Sequence, residues 1–150
     1  MGDCLFCTIQ HAEKPPVGGV LYEDELVYAH HYVPENRPAY LGHVMVETKR
    51  HIPDFAGLTP DEAQAVGLLI TRLSSALKTC TGAEKVYAEF YGEVTPHLHV
   101  HLMARYPETP QEYLRWNLSD WPDAPRGGED EVTRLCQQLH SALTSTSGVS

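Results

Sequence analysis

At 150 residues, with 20 acidic against 11 basic side chains and a formal charge of −9, the chain is sized for a single domain with a true core. That balance argues against a nucleic-acid surface, which needs clustered Lys and Arg, so any phosphate-bearing ligand is expected to be small and locally gripped. No apolar run approaches the roughly 18 residues of a membrane span. Met1 to Lys14 lacks the basic-then-hydrophobic order of a secretory leader, so a cytoplasmic protein without a membrane partner is expected.

Cys4 and Cys7 open the chain as a CxxC with Phe6 inside it. The spacing suits zinc but supplies only two of four ligands. A thioredoxin-like redox pair is the alternative, although that motif follows a strand and none precedes Cys4. Gly18 and Gly19 mark a turn into a strand, Val20 to Glu23, whose partner Leu26 to Val33 lies across Asp24 and Glu25. His30 and His31 then point to opposite faces, so at most one lines any pocket on that strand. Pro34 to Leu41 reads as a loop, and His43 to Glu47 as a third strand with His43 and Met45 on one face.

Thr59, Pro60, Asp61 and Glu62 spell a capping box with Pro at the first helical position. The helix they start carries Val66, Leu69, Ile70, Leu73, Ala76, Leu77 and Cys80 as one apolar stripe until Gly82 stops it. Lys85 to Tyr91 and Leu98 to Ala104 read as fourth and fifth strands around a Gly92 to Pro96 turn. Glu129, Asp130 and Glu131 put negative charge at the start of a second helix through Leu143, with Cys136 on its buried side. Cys80 and Cys136 are expected in the core. The order of elements predicts an α+β fold, a five-stranded antiparallel sheet with two helices, as one domain over residues 1–143 and a flexible tail over 144–150.

The run His97, Leu98, His99, Val100, His101, Leu102 carries the chemistry. On a strand, its three imidazoles line one face and face outward while the aliphatics enter the core. Neutral imidazole is nucleophilic near pH 7, so the central residue, His99, is the candidate to attack a nucleotide phosphorus covalently. His101 would then bond a phosphate oxygen or the leaving atom, and His43 reaches the same site if its strand is adjacent. A rival reading makes the run a catalytic zinc site, with two histidines on alternate strand positions sharing one ion. If zinc is instead structural at Cys4 and Cys7, His97 at the turn edge is the best histidine donor from the run. His51, just after the third strand, is then the best fourth ligand. No Gly-rich phosphate loop with Lys and no GxSxG elbow competes.

These residues resemble the histidine triad (HIT) family, whose motif of His, apolar, His, apolar, His, apolar, apolar is matched at every position from His97 to Met103. The likeness extends over roughly residues 3 to 106 through Cys4 to Cys7, Tyr22 to Glu25, Gly42-His43, Lys49-Arg50-His51 and Arg105. It implies a small α+β homodimer that hydrolyses or transfers a nucleotidyl group through an intermediate on His99, with His101 and His43 at the phosphate. It also implies zinc on Cys4, Cys7, His51 and His97, and a purine nucleotide or nucleotide conjugate as partner. The chain departs from the family where Tyr32 stands in place of a ribose-binding acid, and where Glu93 stands in place of an amide before the triad, with Thr95 left to supply a hydroxyl to phosphate. Those departures leave a nucleotide-binding module with little turnover as the alternative function.

Overall fold

A computed structural model describes residues 4–145. Five strands, β1 (Val20–Glu23), β2 (Val27–His31), β4 (His43–Thr48), β6 (His99–Arg105) and β5 (Lys85–Glu89), form one antiparallel sheet in the order β1-β2-β4-β6-β5. The α+β architecture is the one read from the sequence. β2 and β5 run shorter than the hydrophobic pattern suggested, with Leu26, Val33, Phe90 and Tyr91 in the connecting loops, whereas β4 extends to Thr48 and β6 is shifted by one residue.

Helices α2 (Pro60–Thr81) and α3 (Glu129–Ser145) cover one face. Thr59 caps α2, its hydroxyl accepting from the Glu62 amide while the Glu62 carboxylate accepts from the Thr59 amide; Gly82, in the left-handed region at φ 74°, ends it. Val66, Leu69, Leu73 and Leu77 of α2 meet Val132, Leu135 and Leu139 of α3 over Val27, Ala29, Val44, Val46, Val100 and Leu102 of the sheet. Those sheet residues sit at alternate strand positions, so the intervening His30, His43, Glu47, His99 and His101 are carried on the opposite face. Cys136 is in this core, whereas Cys80 is only half-buried at its margin. Among the described residues no helix is long and apolar enough to cross a membrane.

Three features were not read from the sequence. A six-residue helix, α1 (Leu5–Gln10), begins at the CxxC and is a third α-helix beside the two expected. The expected loop at 34–41 contains β3 (Ala39–Tyr40), which pairs with β7 (Arg126–Gly127) nearly ninety positions later. Tyr40 there joins Met103, Leu118, Trp121 and Ala124 in a second, smaller core, while Trp116 stays exposed. The last helix continues through Thr144 and Ser145, the first two residues of the expected tail; the remainder of that tail lies outside the described residues.

Candidate active site and metal cluster

Strand register assembles the face opposite the helices. His43 of β4 lies opposite Met103, Met45 opposite His101, and Glu47 opposite His99. Gly42 makes the entry to β4 possible: at φ 95° a Cβ would sit 2.7 Å from that of Ala104, so a side chain is excluded on two counts. Its amide donates to His31 Nε2 at 3.0 Å, which ties the start of β4 to the end of β2. His30 and His31 do point to opposite faces, with His30 on the face of the triad.

Two of the three imidazoles do not face solvent as expected, while His101 stays partly exposed at the cleft. His97 is fully buried and His99 is 8% exposed, because α1 lies over them. Phe6 stacks on His99 with ring centroids 4.2 Å apart, and Phe90 meets the same ring edge-on. One hydrogen bond fixes the His99 tautomer: Nδ1 lies 2.6 Å from the His97 carbonyl oxygen, which can only accept, so Nδ1 carries the proton and Nε2 keeps its lone pair. His101 Nδ1 and His43 Nε2 share a hydrogen bond of 3.0 Å. Burial and then the neighbouring His99 push His101 down to about 4. Burial first, then His101, His31, His30 and Arg37, push His43 down to about 3. Both rings are neutral at physiological pH.

A cleft of about 480 Å³ opens on His43, His99 and His101. Tyr32, Glu93 and Thr95 also line it, and Tyr32 rests against His43 at 4.8 Å between centroids. Arg37 and Arg126 line it as well, and sequence reasoning missed both. Only the distant pairing of β3 with β7 brings them there. Arg105, by contrast, is held by Glu84 at 3.0 Å. His11 and His140 are exposed and belong to neither cluster, although His11 Nδ1 lies 2.7 Å from the Cys7 carbonyl oxygen.

The second cluster lies at the other side of α1. Cys4 Sγ is 3.3 Å from His97 Nδ1, Cys7 Sγ is 3.4 Å from His51 Nδ1 and 3.5 Å from His97 Nδ1, and all four ligand atoms lie within 4.8 Å of one another. A tetrahedral zinc would hold sulfur and nitrogen ligands roughly 3.6 Å apart, so the donor set and spacing fit that ion. The His97 ring is prepared for the role: its Nε2–H donates to the Thr48 carbonyl at 2.7 Å, which leaves the Nδ1 lone pair toward the thiols. Burial and the facing Cys4 push the Cys7 thiol up, a penalty that a bound cation would relieve by favouring thiolate. His51 is placed by its neighbour, since Arg50 grips Glu62 at the start of α2 and holds that carboxyl down to about 2.

Between the two clusters lies a buried acid that the sequence reading passed over. Glu47, with no exposed surface, accepts from Gln10 Nε2 at 2.8 Å and pairs with His30 Nε2 at 2.7 Å. Gln10 Nε2 also donates to the Thr48 carbonyl at 3.0 Å, the oxygen that receives His97. The signal was present: alternate positions from His43 reach Glu47 on the same face.

The fold and its histidine-bearing face define a class with solved members. The chain superposes on a zinc-bound histidine triad family protein from Mycobacterium smegmatis with a TM-score of 0.70, at 20% identity, covering 99% of this chain and 98% of that one. A hypothetical histidine triad nucleotide-binding protein from Sulfolobus tokodaii gives a TM-score of 0.70 at 21% identity, covering 95% and 93% respectively. Residues 17–108 match the model of the HIT domain, and the chain belongs to that family. It is also 31% identical over 91 residues to the bifunctional bis(5'-adenosyl)-triphosphatase/adenylylsulfatase of Arabidopsis thaliana, covering 57% of this chain and 49% of that protein. The chain thus spans about half the length of this curated relative.

Proposed function

We propose that the chain is a nucleotidyl hydrolase or transferase that cleaves a nucleoside phosphoramidate or a dinucleoside polyphosphate through a covalent intermediate on His99. The bond from His97 carbonyl to His99 Nδ1–H carries this reading, because it leaves Nε2 as a lone-pair donor in the cleft. The Nε2–phosphorus bond forms as the bond from phosphorus to the leaving group breaks, and the leaving group departs with the electron pair. The His97 carbonyl stabilises the positive charge that develops on the ring. If His43 Nε2–H donates to His101 Nδ1, His101 presents its own Nε2–H to a phosphate oxygen or the leaving atom. Water then attacks the same phosphorus, the bond to Nε2 breaks with its electron pair returning to Nε2, and the water's surplus proton passes to solvent, so the ring returns to its starting tautomer. Thr95 offers a hydroxyl to the phosphate, and Tyr32 and Glu93 shape the nucleotide pocket.

Cys4, Cys7, His51 and His97 would hold a structural zinc, whose chemistry is to fix α1 and the turn before β6. The names of the Arabidopsis and Mycobacterium proteins support nucleotide hydrolysis and zinc respectively. A purine nucleotide partner, a homodimer and a cytoplasmic setting complete the proposal on family grounds. The rival catalytic-zinc reading has less support, because among the described residues the donors close enough to share one ion are Cys4, Cys7, His51 and His97, a group that holds neither His99 nor His101. The alternative of a binding module with little turnover rests on Tyr32 and Glu93 at the pocket wall.

Trapping tests the main reading. A His101 variant incubated with a diadenosine polyphosphate is expected to carry an adenylyl mass on the peptide containing His99. An adduct elsewhere, or turnover by His99→Gly at the parental rate, overturns it. Nucleotide binding measured by calorimetry without any measurable rate in the intact chain would favour the module.

A further inference from the structure

The cleft does not end at the histidines. Register places His99 under α1, His101 about 7 Å further along β6, and Met103 as far again. Met103 packs with Tyr40, the strand partner of Arg126, and Arg37 precedes Tyr40 by three residues. Arg126 therefore stands toward the Met103 end of the cleft, and Arg37 lines the same cleft from the loop before Tyr40. Arg126 is not a loose surface charge. It is half-buried, and its guanidinium is anchored by donation to the carbonyls of Ser119 and Trp121, with Ser119 itself on the cleft wall. Arg37 is exposed and ranks among the groups that depress the buried His43, so its charge is felt at the cleft floor. Two guanidiniums face one carboxylate, Glu93, among the residues lining this cleft, in a chain whose formal charge is −9.

We propose that Arg37 and Arg126 form an anion subsite that takes the phosphate-bearing leaving group, which makes a polyphosphate-linked nucleotide the preferred substrate class over a phosphoramidate. This assignment rests on the histidine reading above. In-line displacement puts the leaving group on the side of phosphorus opposite His99 Nε2, within the cleft whose lining cations are these two arginines. The bond from α-phosphorus to bridging oxygen breaks, and the leaving phosphate departs as an anion that two guanidiniums neutralise without a proton. An amine leaving group needs a proton instead and brings no negative charge for the two guanidiniums to neutralise.

Equilibrium binding separates the subsite from the chemistry, because turnover plays no part in it. In a His99→Asn background without divalent cations, ATP is expected to bind at least about tenfold more tightly than AMP, the range of one or two charge-assisted hydrogen bonds. R37A should reduce that ratio severalfold, R37K should restore part of it, and raising salt should shrink it. Near-ultraviolet circular dichroism checks that each variant keeps its packing. Equal affinity for ATP and AMP, no binding of ATP, or a ratio untouched by R37A would each overturn the subsite. Equal affinities together with an adenylyl adduct on His99 would leave the covalent reading standing, whereas a normal ratio without any adduct would remove only that reading.

Discussion

His97 and His99 are two residues apart on one chain segment, yet they belong to regions built on opposite principles. His97 gives its Nε2–H to a backbone carbonyl and turns Nδ1 toward two thiols; His99 gives its Nδ1–H to a backbone carbonyl and keeps Nε2 for the cleft. The same side chain offers Nδ1 to the thiols or Nε2 to the cleft according to which nitrogen the main chain claims. The difference lies in the acceptor, Thr48 oxygen on the neighbouring strand in one case and the oxygen of residue 97 itself in the other.

Substitution in each region should separate these roles. His99→Ala is expected to lower turnover by about 10³-fold or more while retaining a full complement of zinc, as read by metal analysis. The pair Cys4→Ser, Cys7→Ser should lose the zinc and melt at a lower temperature, by about 2 to 4 °C per kcal/mol lost, yet still form some adduct on His99. Loss of the adduct and retention of zinc in the double variant would erase the distinction. Next in size comes the buried acid between the regions. Glu47→Ala leaves His30 and Gln10 without their partner and should cost about 3 to 5 kcal/mol in denaturant unfolding. Replacing Glu47 and His30 together by Leu should recover much of that loss.

Acid gives the smallest and most graded effect. His31, like His101, is pushed by burial to about 4, and His43 to about 3, against 6.5 for an exposed imidazole. Below about pH 6.5 the unfolded chain takes up protons that the folded chain refuses, so stability is fullest above that value and falls as the pH drops toward 4. Unfolding midpoints at pH 7, 5.5 and 4.5 should decline in that order, and less steeply in His31→Gln.

The sheet and its two long helices were legible because alternation and the capping box are local signals. So was the grouping of Cys4, Cys7, His51 and His97, through motif spacing and resemblance. Burial of the triad was not, because it depends on α1 folding back over β6, and a six-residue helix has no amphipathic period to read. Arg37 and Arg126 were hidden for a different reason. Their convergence follows from a two-residue strand pairing across the chain, where neither partner carries a strand pattern.

Helix α1 is too short to hold its shape without tertiary partners. Its first turn is fastened through sulfur, its last through the Gln10 amide, and Phe6 between them presses on His99. A segment pinned at both ends by unlike chemistries releases as one unit, so the amides of Thr8 and His11 should exchange with deuterium together and faster once a chelator has stripped the sulfur end. The enzyme's lifetime under oxidants would then be set by the fastening of this flap rather than by the durability of the sheet beneath it.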